Sequence, residues 1–127
     1  MTTNEAAHTG HCLCGAVRFT AHGAPKWAAY CHCESCRRQT GAPVAAYAGF
    51  ESGKVEWNGA KPSVYESSPG VMRGFCGRCG SPVYYQGARW PGETHLHLGL
   101  FDKPDIVPTK EAFPGERLPW LHLMPPS

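Results

Sequence analysis

Long apolar runs are missing from this chain. No stretch comes near the roughly 20 apolar residues that a helix needs to cross a bilayer, so no membrane segment is expected. The opening Met1-Thr2-Thr3-Asn4-Glu5-Ala6-Ala7 has neither a basic start nor an apolar core, which argues against a signal peptide. The expected compartment is therefore cytoplasmic, where thiols stay reduced. Charge is also scarce. At 17% charged residues, a net charge of +2 and no block of one sign, neither nucleic acid nor a membrane surface is an expected partner. Uninterrupted helix-forming stretches are lacking too. With 15 glycines and 12 prolines among 127 residues, frequent turns are expected and long helices are not.

What remains is a single domain with short strands. Val17 and Phe19 alternate with polar neighbours, which predicts a half-buried strand near the N-terminus. Trp27 to Tyr30, Val44 to Phe50, Val55 to Trp57, Val64-Tyr65, Val71 to Phe75 and Val83 to Tyr85 form further apolar runs between turn residues. Thr94-His95-Leu96-His97-Leu98 alternates cleanly and predicts a strand with the two histidines on its wet face. Arg37 to Gly41 predicts one helical turn with glycine at its left-handed end. The fold class expected is mainly β, with small antiparallel sheets and few helical turns. Residues 1–8 are expected to be a flexible tail, 9–121 the domain, and 122–127 a C-terminal tail. From Asp102 onward the proline-rich chain is expected to be irregular, with Phe113, Leu118, Trp120 and Leu121 pinning it to the body.

Seven cysteines stand out: Cys12, Cys14, Cys31, Cys33, Cys36, Cys76 and Cys79. The plain alternative is a disulfide framework. An odd count, no secretory signal and C-x-C pairs poorly spaced for internal bonding all favour metal ligation instead. A structural zinc site takes four ligands in a tetrahedron. Cys76-Gly77-Arg78-Cys79-Gly80 has the form of a zinc knuckle and supplies two. The pair Cys12-Leu13-Cys14 supplies two more. That leaves Cys31, Cys33 and Cys36 as a three-thiol set with one position open, either for substrate or for a histidine such as His32 or His11.

His32 lies between two of these ligands and, on an extended segment, would point the other way. Three thiolates make a weakly Lewis-acidic zinc, but one that still deprotonates an incoming thiol. The expected chemistry is thus thiol capture and activation. Arg37 and Arg38 follow the triplet and could pair with a substrate carboxylate, though solvated surface charge is the commoner fate of an arginine. His32 and Glu34 are general-acid candidates by closeness alone.

The ordered pattern Cys12-x-Cys14-Gly15, Tyr30-Cys31-His32-Cys33-x-x-Cys36-Arg37-x-x-Thr40-Gly41 and Phe75-Cys76-x-x-Cys79-Gly80-Ser81 resembles the glutathione-dependent formaldehyde-activating enzyme family, which also contains centromere protein V. The resemblance spans about residues 9 to 121. It implies a β-tent-like fold around a structural zinc on Cys12, Cys14, Cys76 and Cys79, with a second, catalytic zinc on Cys31, Cys33 and Cys36. It implies formation of S-hydroxymethylglutathione from glutathione and formaldehyde, a carbon–sulfur lyase reaction run in reverse. Arg37, Arg38 and Thr40 within the central motif are the substrate-binding candidates. Two other classes stay open: a non-catalytic zinc module that binds another protein, and a thiol redox or repair protein using Cys31 or Cys33.

Overall fold

The structure, a computed structural model, describes residues 6–123. The expected N-terminal tail mostly lies outside that range, as does the end of the C-terminal one. Strand β1 spans Ala7–His11. It pairs antiparallel with β2 (Arg18–His22), and β2 pairs with β5 (Val55–Trp57), forming a three-stranded sheet.

The other strands form one larger sheet. They are β3 (Trp27–Cys31), β4 (Ala45–Glu51), β6 (Ser63–Ser68), β7 (Val71–Phe75), β8 (Pro82–Gly87), β9 (Glu93–His97) and β10 (Lys110–Ala112). Their spatial order is β10-β3-β4-β9-β8-β7-β6. A single α-helix among the described residues, α1 (Glu34–Thr40), ends on Gly41 at φ 72°, a conformation that suits glycine. No helix of the described residues is long and apolar enough to cross a membrane.

The period-2 rule of a strand assigns two different tasks to the two faces of the large sheet. Ala48, Phe50, Tyr84 and Leu96 turn toward the small sheet, where Val17, Phe19 and Ala21 meet them in the main core. Trp27, Cys31, Tyr47 and Tyr85 turn the other way and form a second, smaller cluster with Cys36. Both faces are therefore covered, and this corrects the reading of β9. His95 and His97 do share a face, but that face is buried: they are 4% and 8% exposed. Alternation shows which residues share a face; it does not show that one face is wet.

The C-terminal stretch also departs from expectation. Lys110–Ala112 adds a parallel edge strand to β3, with His32 N–H donating to the Ala112 carbonyl at 3.0 Å. The aromatics expected to pin this stretch are largely exposed, Phe113 at 47% and Trp120 at 66%. Backbone pairing, together with Glu111 against His32, holds the segment instead.

Candidate metal centres

Cys12 and Cys14 sit in the turn between β1 and β2, and Cys76 and Cys79 in the turn between β7 and β8. Their four sulfurs lie within 4.8 Å of one another. Cys12 and Cys14 are 3.6 Å apart and Cys14 and Cys76 are 3.7 Å apart. These spacings are far too long for disulfides. They are near the ~3.8 Å edge of a tetrahedron with ~2.3 Å zinc–sulfur bonds.

Backbone amides already point at these sulfurs. Val17 N–H donates to Cys12 Sγ at 3.3 Å, and Arg78 and Cys79 N–H both donate to Cys76 Sγ at 3.4 Å. Gly80, at φ 82°, lets the knuckle turn back onto β8. Hydrogen bonds from the Ser81 hydroxyl and backbone lower the Cys79 thiol to about 5. Four preorganised sulfur ligands with N–H support fit a structural zinc, and the residues tie the small sheet to the large one.

The second cluster is built by one strand end and one helix start. Cys31 closes β3. Cys33 caps α1, with its Sγ accepting the Cys36 N–H at 3.3 Å. Cys36, one turn in, points back so that its sulfur is 3.5 Å from that of Cys31. Among the described residues no fourth metal-ligating side chain joins this trio. His32 is turned away: it is fully buried and its Nε2 is 2.7 Å from Glu111. Glu34 is exposed and paired with Arg38 at 2.8 Å. Three convergent thiols without a fourth fit a zinc ion with an open position.

A cavity of about 230 Å³ opens beside the trio. Cys31, Cys33 and Cys36 line one part of it. The second, buried face of the large sheet supplies Trp27, Tyr47, Arg73, Tyr85 and His95. Gly49 lies between Trp27 and His95 in the pairing of β3, β4 and β9. A Cβ at Gly49 would run into the Trp27 indole, so glycine here lets that ring cross onto His95, 4.4 Å away edge-on. His95 Nε2 is 2.9 Å from Glu93, which also takes Lys26 at 2.9 Å and the Trp27 N–H at 3.3 Å.

Cys36 is the electrostatic focus. Its thiol is held far below the ordinary range, first by the neighbouring Cys31 and Cys33 sulfurs and then by Tyr47 and Arg73. Tyr47 Oη donates to Cys36 Sγ at 3.3 Å, and Arg73 Nη1 donates at 3.6 Å. Arg73 is 4% exposed, also donates to Ser67 Oγ at 3.1 Å, and lies 5.2 Å over the Tyr85 ring. A buried guanidinium of this kind needs a counter-charge, and the thiolate cluster provides one.

The three expected substrate-binding residues lie elsewhere. Thr40 Oγ1 donates to the Cys36 carbonyl at 2.8 Å and finishes α1. Arg38 pairs with Glu34 within the helix. Arg37 and Arg38 line a separate shallow depression with Leu118 and Trp120. The structure brings the seven cysteines together as four and three, but does not bring Arg37, Arg38 or Thr40 into the cavity. Sequence reasoning missed Arg73, Tyr47 and His95. The one available signal was a lone arginine inside the otherwise apolar run Val71-Met72-Arg73-Gly74-Phe75.

The profile of the glutathione-dependent formaldehyde-activating enzymes matches residues 7–116. The chain belongs to that family. This family member is 32% identical to an uncharacterized lyase of Schizosaccharomyces pombe, over 74% of this chain and 68% of the relative. It is 34% identical to a Halomonas elongata protein described as a candidate glutathione-dependent formaldehyde-activating enzyme, over 77% of this chain and 78% of the relative. A crystal structure of a Rhodobacter sphaeroides protein shares the fold, with a TM-score of 0.63 at 19% identity, covering 82% of this family member and 99% of that chain.

Burial at the site has a measurable acid signature. It pushes the His97 imidazole down from 6.5 to about 4. The unfolded chain takes up this proton below pH 6.5, whereas the folded protein takes it up only below about 4. Stability from this group is complete above pH 6.5 and is lost as pH falls. At about 1.36 kcal/mol per pH unit across the window, the loss reaches about 3 kcal/mol by pH 4. His97→Leu should flatten this part of the urea-midpoint profile between pH 7 and pH 4.5. An unchanged slope in the variant would remove His97 from the account.

Proposed function

We propose that this protein joins a thiol to a small aldehyde, with glutathione and formaldehyde as the reference pair, and cleaves the adduct in reverse as a carbon–sulfur lyase. The observation that carries the reading is the three-thiol cluster: it opens on a cavity, and no fourth side chain of the described residues closes it. The family description and the name of the Halomonas relative support the choice of glutathione and formaldehyde. A zinc ion on Cys31, Cys33 and Cys36 would supply a Lewis-acidic position at which an entering thiol gives up its proton.

The addition forms one carbon–sulfur bond and moves one proton from sulfur to oxygen. Arg73 offsets the anionic charge of the thiols and is fixed by Ser67 and Tyr85. Burial lowers the His95 imidazole and so favours its neutral form, against Glu93, which raises it. The Nε2 contact with Glu93 leaves Nδ1 as the atom that accepts the thiol proton and returns it to the carbonyl oxygen. The cavity walls hold both partners together, which supplies the proximity advantage.

Exchange NMR of formaldehyde with S-hydroxymethylglutathione tests this directly. The zinc-loaded protein should accelerate the exchange. His95→Gln should slow it about 100-fold while keeping its metal content and thiol binding. No acceleration by fully loaded wild type would sink the reading, and a full rate in His95→Gln would remove the proton relay from it.

A further inference from the structure

We infer that the cavity beside the three thiols selects the carbonyl partner, and that its own substrate class is aldehydes carrying an apolar, ring-sized group. The inference rests on the thiol–aldehyde reading above and specifies its second substrate. Formaldehyde has two heavy atoms. The cavity measures about 230 Å³, whereas an apolar cavity of about 150 Å³ already holds benzene. Formaldehyde beside the thiol methylene of glutathione would still leave much of this space to water.

Away from the thiols, Arg73 and His95, the walls are largely carbon. Trp27, Val71, Tyr85, Trp90, Ala112 and Phe113 all line the cavity. Two of these aromatics remain substantially exposed at its rim, Trp90 at 44% and Phe113 at 47%. Phe113 stands at φ 54°, a left-handed conformation that a bulky residue rarely adopts and that is common at ligand-binding positions. That strain sits at a residue whose backbone follows directly on β10, whose last residue Ala112 also lines the cavity.

Two cations line the cavity, and they differ in availability. Arg73 is buried and engaged with Cys36, Ser67 and Tyr85. Arg89 is exposed. Glutathione carries two carboxylates and an ammonium group, whose burial among indole and phenyl rings would cost their hydration. Its charged arms therefore belong at the mouth near Arg89, which leaves the interior to the carbon chain of the aldehyde.

The step balances without a co-reactant. The thiol sulfur bonds to the aldehyde carbon, the carbonyl π bond breaks toward oxygen, and oxygen takes the proton that sulfur released. The product is a hemithioacetal, and nothing is oxidised or reduced.

The test is the exchange assay on the zinc-loaded full chain with glutathione, run in parallel with formaldehyde and benzaldehyde. We expect kcat/KM for benzaldehyde to exceed that for formaldehyde by about tenfold or more, as burial of a ring-sized apolar group implies. Trp90→Ala should lower the benzaldehyde-to-formaldehyde ratio about tenfold by removing one rim wall. Acceleration of formaldehyde alone, or a benzaldehyde kcat/KM no higher than that for formaldehyde, overturns the inference and leaves the thiol–aldehyde reading standing. Acceleration of neither aldehyde overturns both. A ratio unchanged by Trp90→Ala overturns the cavity as the selecting element.

Discussion

Cys76→Ser will not fold to the native state. Cys76 is 1% exposed and belongs both to the main core and to the four-sulfur set. Its sulfur accepts two backbone N–H groups and lies 3.7 Å from Cys14. The contact therefore joins residues 62 positions apart and holds the two sheets at one end. Structural zinc sites contribute on the order of 10 kcal/mol of apparent binding energy, against a total stability of roughly 5–15 kcal/mol for a domain. Losing one of four ligands removes most of that margin. Dispersed amide NMR signals should collapse, and chelation of the wild type should have the same effect. A Cys76→Ser protein with a native-like spectrum would show that hydrophobic contact between the sheets suffices and that the metal is dispensable for folding.

The reason this site was readable in advance is that its ligands come in local pairs. C-x-C and C-x-x-C bring two sulfurs together through turn geometry alone, so only the joining of pairs is a tertiary matter, and the count of seven leaves few ways to do it. Strand positions were readable for the same reason, since alternation is local. What lay beyond reach was how the layers stack. His95 and His97 look like a wet face because polar residues alternate with leucines. The cover over them comes from Trp27 and Tyr47, whose proximity depends on sheet order. Arg73 reads as an odd charge in a strand until β7 is placed next to β8 and both face the helix carrying Cys36. Lys110–Ala112 carries no strand pattern of its own and becomes a strand through Glu111 and His32, 79 residues apart. The nearest arginines in sequence, Arg37 and Arg38, drew the substrate reading to the outer side of α1, while the cavity took its guanidinium from the sheet.

Cys36→Ser should give the opposite result from Cys76→Ser: a folded protein without catalysis. Cys36 is buried in the smaller cluster, outside the main core that joins the sheets. Serine keeps the size and can still accept hydrogen bonds from Tyr47 and Arg73, but it leaves the buried guanidinium without its anion, so the loss of stability should be about 3–5 kcal/mol and the two sheets stay joined. The chemistry does not survive so well. A hydroxyl does not ionise near neutral pH, so Arg73 loses the anion it faces and the trio loses its central sulfur. Two remaining thiols are a poor zinc site. Native mass spectrometry should count one zinc fewer than in wild type, a glutathione adduct should be absent, and aldehyde exchange should fall to the uncatalysed rate. If the variant kept full thiol binding, capture would have to occur away from the three cysteines, and the division of seven sulfurs into a structural four and a reactive three would fail at its second term. If it unfolded as Cys76→Ser does, both clusters would be structural and the cavity would have lost its chemical partner.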